Sequence, residues 1–160
     1  MCAVSGLPAA SARWPLGQRR YQWLFLDGFV RPGGGEVQRL LLPEVDAEVF
    51  SLALKHLAEA VGAGSREHVV LVVDHAGWHA SNDLEVPEGI HLVFLPGYSP
   101  ELQLAEHAWP LVREAVANQR VETLEELEEL LNERCRQLTA DPELIRSSTL
   151  FHWWPLDYAS

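Results

Sequence analysis

The stretch "VVLVVDHAGWHASN", residues 69–82, decides the reading of the fold. Its first half is a nearly continuous run of branched apolar residues, the pattern of a strand covered on both faces of its sheet. Asp74 stands where that run ends, followed by His75, Gly77 and His79. Open α/β sheets hold their ligands in crevices at such strand tips. A strand tip is also where any chain must meet water, so position alone leaves a solvated strand end as the alternative.

Upstream, "YQWLFLDGFV" (21–30) reads as a strand, "RPGGGE" as a turn and "VQRLLLP" as the returning strand, predicting a hairpin over 21–42. The glycine turn lacks the Lys-Ser/Thr of a phosphate loop and joins two strands, so it is turn chemistry. "DAEVFSLALKHLAEAVGAG" (46–64) predicts a helix capped by Asp46, striped by Val49, Phe50, Leu52, Leu54, Leu57 and Ala58, and stopped by Gly62 and Gly64. Downstream, "IHLVFLP" (90–96) supplies another short strand. "SPELQLAEHAWPLVREAVANQ" (99–119) predicts a helix opened by Ser99 and Pro100 and broken just before Pro110. In "TLEELEELLNERCRQL" (123–138), Thr123 and Glu126 have capping-box spacing, and Leu124, Leu127, Leu131 and Leu138 form a stripe. Such a stripe reads first as core, with a partner interface as the alternative. The tail from Asp141 reads as short helix or loop with aromatic anchors. Strand, helix, strand and strand in this order imply an α/β architecture with partly parallel pairing.

A length of 160 residues suits one domain with a real core. Twenty-three acids against 12 bases give a net charge of −11, and no basic footprint of a stand-alone duplex reader is present. Cys2 and Cys135 lie far apart and form no zinc pattern, which is ordinary for a cytoplasmic protein. No apolar stretch reaches membrane-spanning length. The opening "MCAVSGLPAASARWP" has no signal-peptide pattern and reads as loop.

The strongest chemical pair is Asp74 with Glu106, one at a strand end and the other on the helix after the next strand. Hard divalent ions take oxygen ligands of this kind, completed by water and substrate phosphate. The alternative is a solvated strand end and a wet helix face. His75 and His79 are four apart, but the residues between them lack the glutamate of a zinc protease motif, which leaves His79 as a supporting or DNA-facing residue. A triad of Ser99 with a histidine and Asp74 is disfavoured, because "GYSPE" is no nucleophile elbow.

"YQWLFLDGFVRPGGGEVQRLLLP", "VVLVVDHAGWHAS", "LEVPEGIHLVFLPGYSPELQLAEHAWPLVREAVANQRV" and "IRSSTLFHW" together resemble the C-terminal two-thirds of a DDE transposase catalytic domain. The likeness is to bacterial insertion-sequence enzymes related to the mariner-like group and covers residues 18 to 153. It implies a ribonuclease H-like mixed sheet with flanking helices, and Mg²⁺ (or Mn²⁺) held by three acids for DNA cleavage and strand transfer. Asp74 matches the family's second acid and Glu106 its third; Trp109 matches the tryptophan after the third acid, and His79 a histidine after the second. Gln103 and Leu104 depart from the family's Asn-Pro before the last acid.

The family's first acid sits on the first strand, upstream of the match. Asp27 falls on the second strand, away from that position; with Asp46 it is the first residue to test if a third carboxylate is needed. The resemblance therefore predicts a partial domain over 18–153 that lacks its first strand, with an irregular segment 1–17 and a tail 154–160. It further predicts weak metal binding, weak DNA binding by this chain alone, poor stability and no normal strand transfer. The competing expectations are a non-catalytic remnant that associates with itself or a full-length transposase through the leucine stripe, or a gene fragment without function.

Overall fold

The computed structural model describes the backbone of residues 2–8 and, with their side chains, residues 24–42, 44–97, 99, 102–117 and 119–151. The expected tail 154–160 and the start of the first predicted strand, 21–23, lie outside the described residues. Five strands form one sheet: β1 (Cys2–Pro8), β2 (Phe25–Arg31), β3 (Glu36–Leu42), β4 (Val69–Val73) and β5 (Ile90–Phe94), in the order β3-β2-β1-β4-β5. Between them run α1 (Ala47–Val61) and, after β5, a 3₁₀ turn (Leu104–Ala108), α2 (Trp109–Arg113), α3 (Leu124–Thr139) and α4 (Pro142–Thr149).

Two expectations are corrected together. Residues 2–8 are strand, not irregular segment, and the sheet does not lack the strand between β2 and β4. β1 runs antiparallel to β2, with Cys2 opposite Val30 and Pro8 opposite Phe25, and parallel to β4, with Cys2 opposite Val72. The physical reason is the cost of the alternative: two inner strand edges without partners would bury unpaired amides and carbonyls, and any extended segment that reaches the gap removes that cost. The sequence signal was weak because "CAVSGLP" mixes a glycine and a proline into a short apolar run.

The β2–β3 hairpin forms as predicted, with Phe25 opposite Leu42 and Arg31 opposite Glu36. Gly35 holds φ at +73°, and a side chain there would collide with the Pro142 carbonyl, so the hairpin turn docks directly on the start of α4. α1 is capped by Asp46, whose carboxylate accepts the Val49 N–H at 2.8 Å, and it ends at Gly62 with φ +71°. Its buried face is Phe50, Ala53, Leu54, Leu57 and Ala58. Leu52, placed in the stripe by sequence, is 61% exposed because the inward row follows the three-and-four spacing through Ala53.

The sheet carries one core on each face. α1 packs with Phe29, Leu71, Val73 and Ile90 on one side. On the other, Leu24, Leu26, Val30 and Val37 meet Leu104, Trp109, Val112 and the α3 and α4 residues Leu127, Leu131, Leu138 and Ile145. Fully buried leucines such as Leu54 and Leu71 each contribute roughly 1.5–3 kcal/mol. The capping box of Thr123 and Glu126 is present, and Leu127, Leu131 and Leu138 are buried in this chain's own core. That stripe is therefore not a surface for a partner. β5 is an edge strand, with Val93 48% exposed. No helix among the described residues is long and apolar enough to cross a membrane.

The long helix expected over 99–119 is corrected to a later and shorter element. The 3₁₀ turn starts at Leu104 with Gln103 before it, and Ser99 does not cap it. α2 begins at Trp109 with Pro110 in its first turn, so the break falls where Pro110 removes an amide donor.

Candidate active site

β4 ends at Val73, which delivers Asp74 to the rim of the sheet, where the chain turns sharply. The Oδ1 atom of Asp74 accepts the Ala76 N–H at 3.0 Å, a local turn bond of the kind Asp favours after a strand. The same oxygen accepts a hydrogen bond from His79 Nδ1 at 2.7 Å. An ionised carboxylate only accepts, so the proton belongs to the imidazole nitrogen. His79 is held in turn by its own backbone N–H, which donates to the Ala76 carbonyl at 2.9 Å. Its ring lies 4.3 Å from Phe50 of α1, centroid to centroid, and edge-on to Trp78 at 6.0 Å.

These contacts set the electrostatics. The bond from His79 holds the Asp74 carboxyl below its ordinary range, against a partial burial that works the other way, with the Ala76 amide helping. Oδ2 makes no hydrogen bond among the described residues, so one oxygen of Asp74 stays open at the rim while the other is fixed.

Glu106 arrives from the opposite face, on the 3₁₀ turn. Its neighbours Leu104, Ala105 and Ala108 are buried, which pins the turn to the sheet and leaves Glu106 at the margin of the core. Partial burial raises its pKa; Arg113 opposes this, and the charge of Asp74 raises it further. The charge of Asp74 thus reaches Glu106. Trp109, one turn on, packs its ring over Gly28 of β2, where a Cβ would sit 3.6 Å from the indole.

His75 and His79 diverge. The His75 ring stacks on Phe94 at 5.1 Å, while His79 turns inward under α1.

Two carboxylates from a strand end and a helical turn suit a hard divalent cation, which fills its remaining positions with water and phosphate oxygens. Among the described residues no three His, Cys, Asp or Glu side chains converge closely enough to hold a metal ion by themselves. The strand β1, where the resemblance places the first acid, reads "CAVSGLP" and carries no carboxylate. The donor set fits a cation site that depends on a substrate to be complete.

The sequence reading held Asp27, on β2, only as a first residue to test for a third carboxylate. It is 1% exposed, and neither carboxylate oxygen has a hydrogen-bond partner among the described residues. Burial pushes its pKa up to about 6, offset in part by the charge of His79 and by the Gly28 N–H, which falls short of hydrogen-bond geometry; Asp74 pushes it upward. The available signal was a single acid inside "WLFLDGFV", an otherwise apolar strand.

The family described as DDE superfamily endonuclease matches residues 13–128. The protein from Sinorhizobium fredii named "Uncharacterized protein y4pE/y4sA" is 33% identical over 134 residues, covering 82% of this chain and 96% of that protein. Among solved structures, the Mos1 transposase paired-end complex with left transposon end superimposes with a TM-score of 0.57 at 19% identity. That match covers 94% of this chain and 55% of the other. The catalytic domain of Mos1 mariner transposase gives a TM-score of 0.54 at 17% identity, covering 92% and 81%. This chain thus spans about half the length of the transposase chain in the DNA complex. The structural likeness identifies the mixed sheet with flanking helices as ribonuclease H-like. With its match over most of its length, this chain belongs to the DDE superfamily endonuclease family.

Proposed function

We propose that the chain is a transposase-type DNA-processing domain whose cation site is reduced to Asp74 and Glu106. The observation that carries this reading is the fixed geometry of Asp74: one oxygen is tied to His79 and Ala76, the other makes no hydrogen bond among the described residues, and the charge of Asp74 acts on Glu106. When bound there, Mg²⁺ or Mn²⁺ would polarise a phosphate and lower the pKa of an attacking water. The chain's own residues hold the two carboxylates, and the wall of Phe50 and Trp78 keeps His79 dry. Its natural substrate class is DNA, consistent with membership of the family.

With two acids and no carboxylate on β1, the site binds cations weakly and does not support normal strand transfer by itself. The net charge of −11 opposes phosphate attraction, so DNA affinity is low without a basic partner. A second reading, as a non-catalytic companion of a complete transposase, is supported by the same missing carboxylate and by the open edge at β5; the buried leucine stripe removes the helix as its contact. The deciding experiment incubates the purified chain with labelled transposon-end DNA and Mg²⁺ or Mn²⁺. The domain reading predicts at most slow nicking that disappears in Asp74→Asn. Efficient strand transfer would overturn the reduced-site reading, and nicking unaffected by Asp74→Asn would place the chemistry elsewhere.

A further inference from the structure

The end of β4 away from Asp74 carries a second pair of donor side chains. His68 stands immediately before β4, and His91 is the second residue of β5. His68 Nδ1 lies 3.1 Å from His91 Nε2, with the ring centroids 5.2 Å apart. Both residues are exposed. Val70 faces His91 in the parallel register, so strand alternation puts His68, Val70 and His91 on one face of the sheet. Leu71 and Val73 fill the core under α1, so the imidazoles stand on the opposite face. Val70 is 53% and Val93 48% exposed, which leaves that face open to solvent here.

The backbone fixes where the two rings start. The Val69 N–H donates to the Gly89 carbonyl at 2.7 Å, joining the entries of both strands. Gly89 holds φ at +85°, and a side chain there would collide with the Gly64 amide nitrogen and the Glu67 carbonyl. These two groups close their own turn, the Gly64 N–H donating to Glu67 at 2.9 Å. The turn before His68 is therefore packed against the turn before His91.

We propose that His68 and His91 form a two-imidazole site for a borderline transition-metal ion of the Zn²⁺ and Cu²⁺ class, separate from Asp74 and Glu106. Imidazole nitrogens bind such ions at about 2.0–2.1 Å, so two of them 3.1 Å apart subtend roughly 100° at a shared ion, between a square and a tetrahedral angle. A hydrogen bond between two exposed rings gains little over bonds to water, whereas a shared ion uses both lone pairs at once. Each neutral ring then keeps its proton on the remaining nitrogen, His68 Nε2 and His91 Nδ1. Imidazole suits these ions, while Mg²⁺ prefers oxygen. No group of three His, Cys, Asp or Glu converges among the described residues, so water completes the shell and the ion stays exchangeable. The ion would fasten the edge strand β5 to β4. Extended chain of about 20 Å separates His68 from Asp74, and the site does not depend on Asp74 binding a cation.

The test titrates Zn²⁺ alone into the full chain, following histidine ring signals and thermal melting. In wild type the signals of His68 and His91 should move together, before those of the other histidines, and Mg²⁺ should move neither. His68→Gln and His91→Gln, both at exposed positions, should each lower Zn²⁺ affinity by more than about tenfold, since even a lost supporting partner of a ligand costs that much. Each should also remove the rise in Tm that Zn²⁺ gives by binding the folded state. His56→Gln, an exposed imidazole on α1, should change neither, and Asp74→Asn should leave the ring shifts in place. Ring signals that stay still or move singly would overturn the site, as would unchanged affinity in either glutamine variant. A Zn²⁺ response confined to residues 74–79 and 103–108 would also overturn it, while leaving the reading of Asp74 intact.

Discussion

His79 Nδ1 lies 2.7 Å from Asp74 Oδ1, with the imidazole side chain fully buried and the carboxylate side chain 40% exposed. The arrangement separates two tasks: the buried partner fixes an orientation, and the exposed one remains available to a ligand. A hydrogen bond to the charged form of a carboxylate favours that form.

His79→Leu should therefore raise the Asp74 carboxyl from its depressed value toward the ordinary 3.8. A folded-state pKa below the unfolded one contributes stability that is present above 3.8 and lost as pH falls through the folded value. The variant should accordingly lose part of the wild type's acid-induced destabilisation. Carboxyl carbon resonances followed through a pH titration measure the change, and an unmoved Asp74 would mean that the His79 bond does not form in solution.

Asp27 has the opposite sign. Its folded pKa of about 6 lies above the ordinary 3.8, so its contribution is fully present below 3.8 and lost as pH rises through about 6. Above pH ~7 the ionised group costs roughly 3 kcal/mol, since each tenfold change in an ionisation constant is worth about 1.4 kcal/mol. Denaturant melts should find Asp27→Asn stabilising at a pH of about 7.5, with that gain gone at about 3.5. A gain of equal size at both values would show that charge burial is not its source.

The position of β1 makes a sharp prediction about the sheet. Amide exchange should be slow along residues 26–30 and 69–73, since β1 lies between β2 and β4. Deleting residues 1–8 should expose both inner edges, accelerate exchange there and promote association. Equal protection with and without these residues would show that β2 and β4 find another partner.

Gly35→Ala should destabilise by about 2 kcal/mol, from the positive φ together with the collision against Pro142. Gly64→Ala, where a Cβ meets nothing within 4 Å, should have little effect. Thermal melts of the two variants make the comparison; similar losses would remove the hairpin–α4 contact as the cause.

The legible parts of the fold were those where local and tertiary demands coincide. The hairpin turn, the Asp46 and Thr123 caps and the β4 run all carry their signal within a few residues, and the structure places them as read. Ser99 does accept a turn-closing bond from the Leu102 N–H, but the expected continuous helix was misread, because Gln103 interrupts it and the buried contacts of Leu104 and Ala105 start a separate turn. β1 was missed because its stability comes from two neighbouring strands and not from its own propensity. The places of Asp74 at a strand end and Glu106 on the next helical element were legible from the sequence. The bond from His79 and the burial of Asp27 were not, since both arise from packing under α1 that no spacing encodes.

The central claim, that Asp74 and Glu106 together hold a divalent cation, is tested most directly by Mn²⁺-induced broadening of assigned amide resonances. The account predicts broadening centred on residues 74–79 and 103–108 in wild type, abolished in both Asp74→Asn and Glu106→Gln while the remaining spectrum shows an intact fold. Broadening centred elsewhere, or retained at these residues in both variants, would contradict it.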